Sequence, residues 1–145
     1  VNDSIENFSR KTDLRFDLII TNPPYFLKNN LTDSRNIARS QNTINFEELF
    51  SIVGLLIKTD GNFSIIFPFD QFDNIIEISE KNQFIANRIL KIYPTAKSHL
   101  PKRTIISFSK NKKTFSEENL IIEPYKRHEY SIKYKKLTKD FLLNS

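Results

Sequence analysis

A short apolar run, Phe16-Asp-Leu-Ile-Ile-Thr21, stops abruptly at Asn22-Pro23-Pro24-Tyr25. Apolar, partly β-branched residues on both sides of a six-residue stretch predict a strand buried on both faces, as in a parallel sheet. The two prolines end it, because they lack backbone donors and confine the residue before them to extended conformations. In an open sheet of this kind, ligands bind just beyond the carboxyl ends of the strands. One short segment therefore constrains both the architecture and the place to look for chemistry.

The rest of the chain alternates in keeping with it. Asn45 to Thr59 carries Phe46, Leu49, Phe50, Val53, Leu56 and Ile57 three and four residues apart, which predicts an amphipathic helix capped by Asn45. Asp60-Gly61 reads as a closing turn, and Asn62 to Pro68 as a second buried strand. Phe72 to Lys81 has helical spacing. Phe84 to Tyr93 and Thr104 to Phe108 read as two strands joined by a loop with Pro94, His99 and Pro101. A further strand is expected at Leu120 to Glu123, with an undecided segment from Tyr134 to Leu143. Strand, helix, strand, helix, strand, strand is the order of an α/β layer with a mostly parallel sheet and an antiparallel strand at its end.

Composition removes several chemistries. The 145 residues fit one domain, and 13 Phe supply a core. There is no Cys, and His99 and His128 are the two histidines, so thiolate and histidine-rich metal sites are excluded and no metal is expected. No apolar run is long enough to span a membrane and no signal-peptide pattern opens the chain, so a soluble, cytoplasmic protein is expected. Gly occurs twice where about ten would be average, which excludes a Gly-rich phosphate loop. Met is absent even at position 1, and from this we expect the C-terminal part of something longer. A net charge of +5 is compatible with either a polyanionic partner or a solvated basic surface.

Asn22-Pro23-Pro24-Tyr25 is rigid and rich in acceptors. The Asn22 side-chain carbonyl and the Pro23 backbone carbonyl can accept hydrogen bonds from the two protons of a planar amine, while Tyr25 and Phe26 offer stacking faces. Such hydrogen bonds favour a pyramidal nitrogen whose lone pair can attack an electrophilic methyl group. Catalysis would rest on positioning and oriented dipoles rather than on an acid or a nucleophilic side chain.

Phe16 to Phe26 resembles the N-P-P-Y signature of S-adenosylmethionine-dependent methyltransferases that modify amino nitrogens, a motif that leaves adenine in DNA, adenine in RNA and protein glutamine open as substrates. Further segments are similar to one branch of that family. Ile37-Ala-Arg39 before Phe46-Glu-Glu-Leu49, Gly61 to Pro68, Pro101-Lys-Arg103, and Tyr134 with Leu137 to Leu142 resemble the bacterial tRNA adenine-N6 methyltransferases that modify position 37, beside the anticodon of a valine tRNA. The likeness runs from Asp3 to Leu143.

The resemblance implies the C-terminal half of a seven-stranded Rossmann-like methyltransferase, residues 1–145 forming the catalytic part, with the Gly-rich cofactor half upstream. It implies S-adenosyl-L-methionine as cofactor and tRNA as partner, with a monomer expected for the whole enzyme. Asn22, Pro23, Pro24 and Tyr25 would be catalytic. Asp3, together with Asn22, would lie at the cofactor, although Asp3 equally reads as a turn or cap residue. Phe26, Arg35, Arg39, Lys102 and Arg103 would meet the nucleic acid, with ordinary surface ion pairs as the other reading of the arginines. The basic C-terminal segment, in which Lys126, Arg127, Lys133, Lys135, Lys136 and Lys139 alternate with Tyr125, Tyr130 and Tyr134, reads either as a nucleic-acid surface or as a solvated end. DNA adenine methylation, glutamine methylation, or RNA binding without catalysis by this chain alone remain the alternatives. The isolated chain is expected to be inactive, since a parallel sheet cut beside a central strand exposes an edge.

Overall fold

A computed structural model describes residues 4–23 and 45–141. The elements run α1 (Ile5–Lys11), β1 (Phe16–Thr21), α2 (Phe46–Leu56), β2 (Ile57–Pro68), a single 3-10 turn (Phe69–Gln71), α3 (Phe72–Lys81), β3 (Ile85–Thr95), β4 (Arg103–Ser109), β5 (Ser116–Glu123) and α4 (Ile132–Thr138). The five strands form one sheet in the order β1-β2-β4-β3-β5. β1 is parallel to β2 and β3 to β5, whereas β4 is antiparallel to both of its neighbours.

Four strands thus point one way and β4 points the other. The antiparallel strand expected at the end of the sheet lies inside it, between β2 and β3. Topology explains the difference. β3 lies next to the following strand β4 as a hairpin, and the free edge of β4 then pairs with β2, so the fourth strand in sequence becomes an interior one in space.

Helix starts follow local chemistry. Asn45 Oδ1 accepts from the Glu48 backbone N–H at 2.7 Å, and Ser4 Oγ accepts from that of Asn7 at 3.2 Å; each satisfies a donor that a first helical turn leaves orphaned. α2 and α3 cover one face of the sheet. Phe50 of α2 sits at its centre, fully buried, with edge-on rings of Phe63, Phe84 and Phe108 at centroid distances of 5.2, 5.6 and 5.3 Å. Edge-to-face packing matches the positive rim of one ring to the negative face of the next.

Gly61 differs from its expected role. It lies within β2, buried, where a step of two residues in β1 (Phe16 to Leu18) faces a step of five in β2 (Ile57 to Asn62). A Cβ there would fall 2.8 Å from Ile57 Cγ1 and 3.0 Å from the Phe16 carbonyl oxygen. The glycine lets the parallel ladder close over this bulge. β5 is longer than expected because its first half is polar: Glu117 pairs with Lys91 at 2.7 Å, and Glu118 with Arg88 at 3.1 Å and with Lys133 at 2.7 Å.

Candidate active site

β1 delivers Asn22 and Pro23 to the carboxyl rim of the sheet. Thr21 lies opposite Ile65 of the parallel strand β2, so the chain leaves β1 while β2 still has three residues to run. Asn22 is exposed and Pro23 is buried. The buried ring anchors the corner, and the preceding side chain faces solvent. Asp3, Pro24, Tyr25, Phe26, Arg35 and Arg39 lie outside the described residues.

Lys102 and Arg103 come to the same rim. Arg103, the first residue of β4, is opposite both Pro68 at the end of β2 and Ile92 of β3. Two strand spacings of about 4.8 Å separate β1 from β4, so these cations stand roughly 10 Å along the rim from Asn22. The backbone of Lys102 is fastened on both sides: its N–H donates to the Ile92 carbonyl at 2.8 Å and its carbonyl accepts from the Phe69 N–H at 3.4 Å. The same carbonyl accepts from Arg103 Nη1 at 3.1 Å.

Beside these cations, and not lined by Asn22 or Pro23, lies an open cleft of about 470 Å³, within the range of small-ligand sites. Phe69, Asp70, Phe72 and Asp73 form one wall, and Leu100, Pro101, Lys102 and Arg103 the other. It offers aromatic surface, carboxylate acceptors and cations. The first wall escaped the sequence reading, although Pro68-Phe69 directly after a buried strand was the signal for it. Lys91 Nζ sits 5.7 Å from the Phe72 ring centroid and supports it from behind.

The described residues fit one part of a methyl-donor site. A side-chain acceptor next to a buried, rigid proline suits an incoming amine. A Gly-rich turn for the remainder of a nucleoside cofactor is not found among them, since Gly54 lies within α2 and Gly61 within β2. No group of acidic or histidine residues suited to a metal ion occurs among the described residues, and none of their helices is long and apolar enough to cross a membrane.

Comparison with known proteins then places the chain. It is 36% identical over 137 residues to the tRNA1(Val) (adenine(37)-N6)-methyltransferase of Bacteroides fragilis, an alignment covering 93% of this chain and 57% of that protein. The Flavobacterium psychrophilum protein of the same name is 31% identical over 141 residues, covering 96% of this chain and 59% of its own length. The chain is homologous to the C-terminal part of these methyltransferases. It spans somewhat more than half the length of the curated relatives it matches. No protein-family model matches. Among solved structures, a predicted O-methyltransferase from Agrobacterium tumefaciens superposes with a TM-score of 0.63 at 18% identity, covering 86% of this chain and 51% of that one. That likeness shows a shared fold; the methyltransferase branch rests on the similarity to the curated sequences.

Proposed function

We propose that this chain is the substrate-facing half of an S-adenosylmethionine-dependent methyltransferase acting on the exocyclic N6 of adenine 37 in a valine tRNA. The observation that carries the reading is Asn22-Pro23 standing at the carboxyl end of a parallel strand, within a chain aligned almost end to end with part of enzymes named for that reaction.

In this reading the adenine is drawn out of its stack into the space above β1. An anticodon-loop base has little stacking to lose, which lowers the cost of a few kcal/mol. The Asn22 side-chain carbonyl and the Pro23 backbone carbonyl accept from the two amino protons, with Pro24 holding the turn and Tyr25 stacked on the ring. S-adenosylmethionine supplies an electrophilic methyl group. The two hydrogen bonds would free the nitrogen lone pair from conjugation and aim it at that methyl carbon; as the new N–C bond formed, the S–CH3 bond would break with its electron pair passing to sulfur, leaving S-adenosylhomocysteine, and the extra amino proton would pass to solvent. Phe26, Arg35, Arg39, Lys102 and Arg103 hold the surrounding nucleotides and phosphates, and Asp3 lies towards the cofactor. The enzyme works as a cytoplasmic monomer.

The test is methyl transfer from labelled S-adenosylmethionine by the full-length parent protein, offered unmodified tRNA, DNA and a release factor in parallel. The expected product is N6-methyladenosine at position 37 of the valine tRNA. Label in DNA adenine or in methylglutamine would keep the chemistry of Asn22 and change the substrate. tRNA binding without transfer would make this a binding module.

A further inference from the structure

The carboxyl rim of the sheet is not level. Asn22 follows Thr21, and Thr21 pairs with Ile65, so Asn22 stands at the height of Ile66, which is opposite Ile105 and, through it, Leu90. β3 continues five residues past that level to Thr95, and β5 rises beside it to Glu123, which pairs with Thr95. At about 3.3 Å per residue the outer strands form a wall some 16 Å higher than the Asn22 corner, and about 19 Å to its side across four strand spacings.

The top of this wall is basic and preorganised. The loop after β3 carries Lys97 and the loop after β5 carries Lys126 and Arg127, all exposed. Glu123 Oε1 accepts from the His128 backbone N–H at 2.9 Å, where His128 has a left-handed φ of 68°. The Ser131 N–H donates to the Ile122 carbonyl at 2.8 Å and the Glu129 N–H to that of Lys126 at 3.1 Å. A non-glycine residue in that conformation is held there by its surroundings. Among the described residues neither Lys97 nor Arg127 forms a salt bridge, and Lys126 reaches Glu129 only at 4.0 Å. Cations lower on the sheet and on α4 beside it are spoken for: Lys58 and Lys91 of the strands and Lys133 of α4 each lie within 2.8 Å of a carboxylate. The lysines of α4 face a different region, because that helix runs back along β5 from Ser131 to place Lys133 beside Glu118.

We propose that Lys97, Lys126 and Arg127 bind the phosphate backbone of duplex RNA, namely the stem adjoining the loop whose base enters at Asn22. The proposal rests on the tRNA reading above and deepens it. The reason for a stem is distance. Wall top and Asn22 corner lie about 25 Å apart from the spacings above, roughly seven stacking steps at 3.4 Å, too far for the target's immediate neighbours. Cations that are unpaired or only loosely paired, on the two loops at the wall top, suit phosphates, which give position without sequence. Glu123 and Glu129 keep their negative charge there, but Lys97, Lys126 and Arg127 outnumber them and leave the wall top with a net positive charge.

The experiment uses the full-length parent and its K97A/K126A/R127A variant, with folding checked by circular dichroism. Binding to intact tRNA is measured across a salt series, and methylation is measured on intact tRNA and on a single-stranded oligonucleotide with the anticodon-loop sequence. The expected result is a salt dependence shallower by about one for each phosphate no longer neutralised, and a kcat/KM on tRNA reduced at least tenfold with that on the oligonucleotide unchanged. K112A, at the opposite end of the sheet, is expected to behave as wild type. An unchanged salt slope, or equal losses on both substrates, overturns the wall as a stem site while leaving the tRNA reading intact. Failure of the wild-type parent to methylate tRNA overturns both.

Discussion

Arg103 lies directly opposite Pro68 in the antiparallel ladder between β2 and β4. Because β4 runs against its neighbours, its first residue meets the last residue of β2, and the β3–β4 loop opens on the rim where β1 and β2 end. A strand of reversed direction thereby brings Lys102 and Arg103 to the side on which Asn22 emerges.

On the proposed function, Asn22→Ala in the full-length enzyme removes one of two acceptors for the amine. Loss of a single oriented hydrogen-bonding group at a reacting centre costs about 10²–10³ in kcat. We expect that loss in single-turnover methyl transfer, with tRNA affinity within about twofold of wild type. Turnover within tenfold of wild type would remove Asn22 from the chemistry.

Gly61→Ala forces a methyl group against the Phe16 carbonyl oxygen and the Ile57 side chain. Overpacking of this kind costs about 1–3 kcal/mol. The expected outcome is a lower denaturant midpoint with an unchanged m-value, because the same surface is exposed on unfolding.

Phe50→Ala opens a cavity among three edge-on phenyl rings at the centre of the core. Such truncations cost about 3–5 kcal/mol, a large part of a domain's total stability. Thermal unfolding is expected to show it, whereas Phe115→Ala, at an exposed ring, should move the transition little.

Glu118 binds β3 and α4 to β5, and its carboxyl is held below the ordinary value of 4.5 chiefly by the hydrogen bond and charge of Lys133, with Arg88 adding to it. A carboxylate whose folded pKa is depressed contributes stability above its unfolded pKa and loses it as pH falls through the lower, folded value. Thermal scans are therefore expected to show wild type losing stability below pH 4.5, and Glu118→Gln to be less stable at neutral pH with a shallower acid decline. Parallel acid curves would show the clamp to be without effect.

Phe16–Thr21 and Phe72–Lys81 match the bounds read from sequence, because each is punctuated by its own chemistry: the Asn-Pro-Pro corner in one, an amphipathic period in the other. The burial of β1 on both faces does not hold, because β1 is an edge strand with Leu18 and Ile20 exposed. α1 was not expected. Its seven residues carry little more than Ile5 and Phe8 on the apolar side, and its position depends on a tertiary contact, the Phe8 ring 6.3 Å from that of Phe16. The first half of β5 was hidden for a related reason. Ser116 to Asn119 is polar at an outer strand, and its partners on β3 are charges 26 and 30 residues away in sequence. The place of Asn22 and Pro23 at the end of β1 was legible because a turn after a strand is written in adjacent residues. The cleft and the raised wall were not, since they depend on strand order and register, which residues in sequence do not state.

The interior place of β4 also governs the order in which the sheet can be assembled. β2 and β3 never touch edge to edge, so nothing useful can add to β2 until the chain has emerged as far as Ser109. The β3–β4 hairpin, closed by a seven-residue loop, is the local unit that can form first. Its docking through β4 joins the β1–β2 pair to the remainder in a single step. The β1–β2 pair and the β3–β4 hairpin are thus two part-sheets, and the β2–β4 ladder is the one seam that makes them a single sheet.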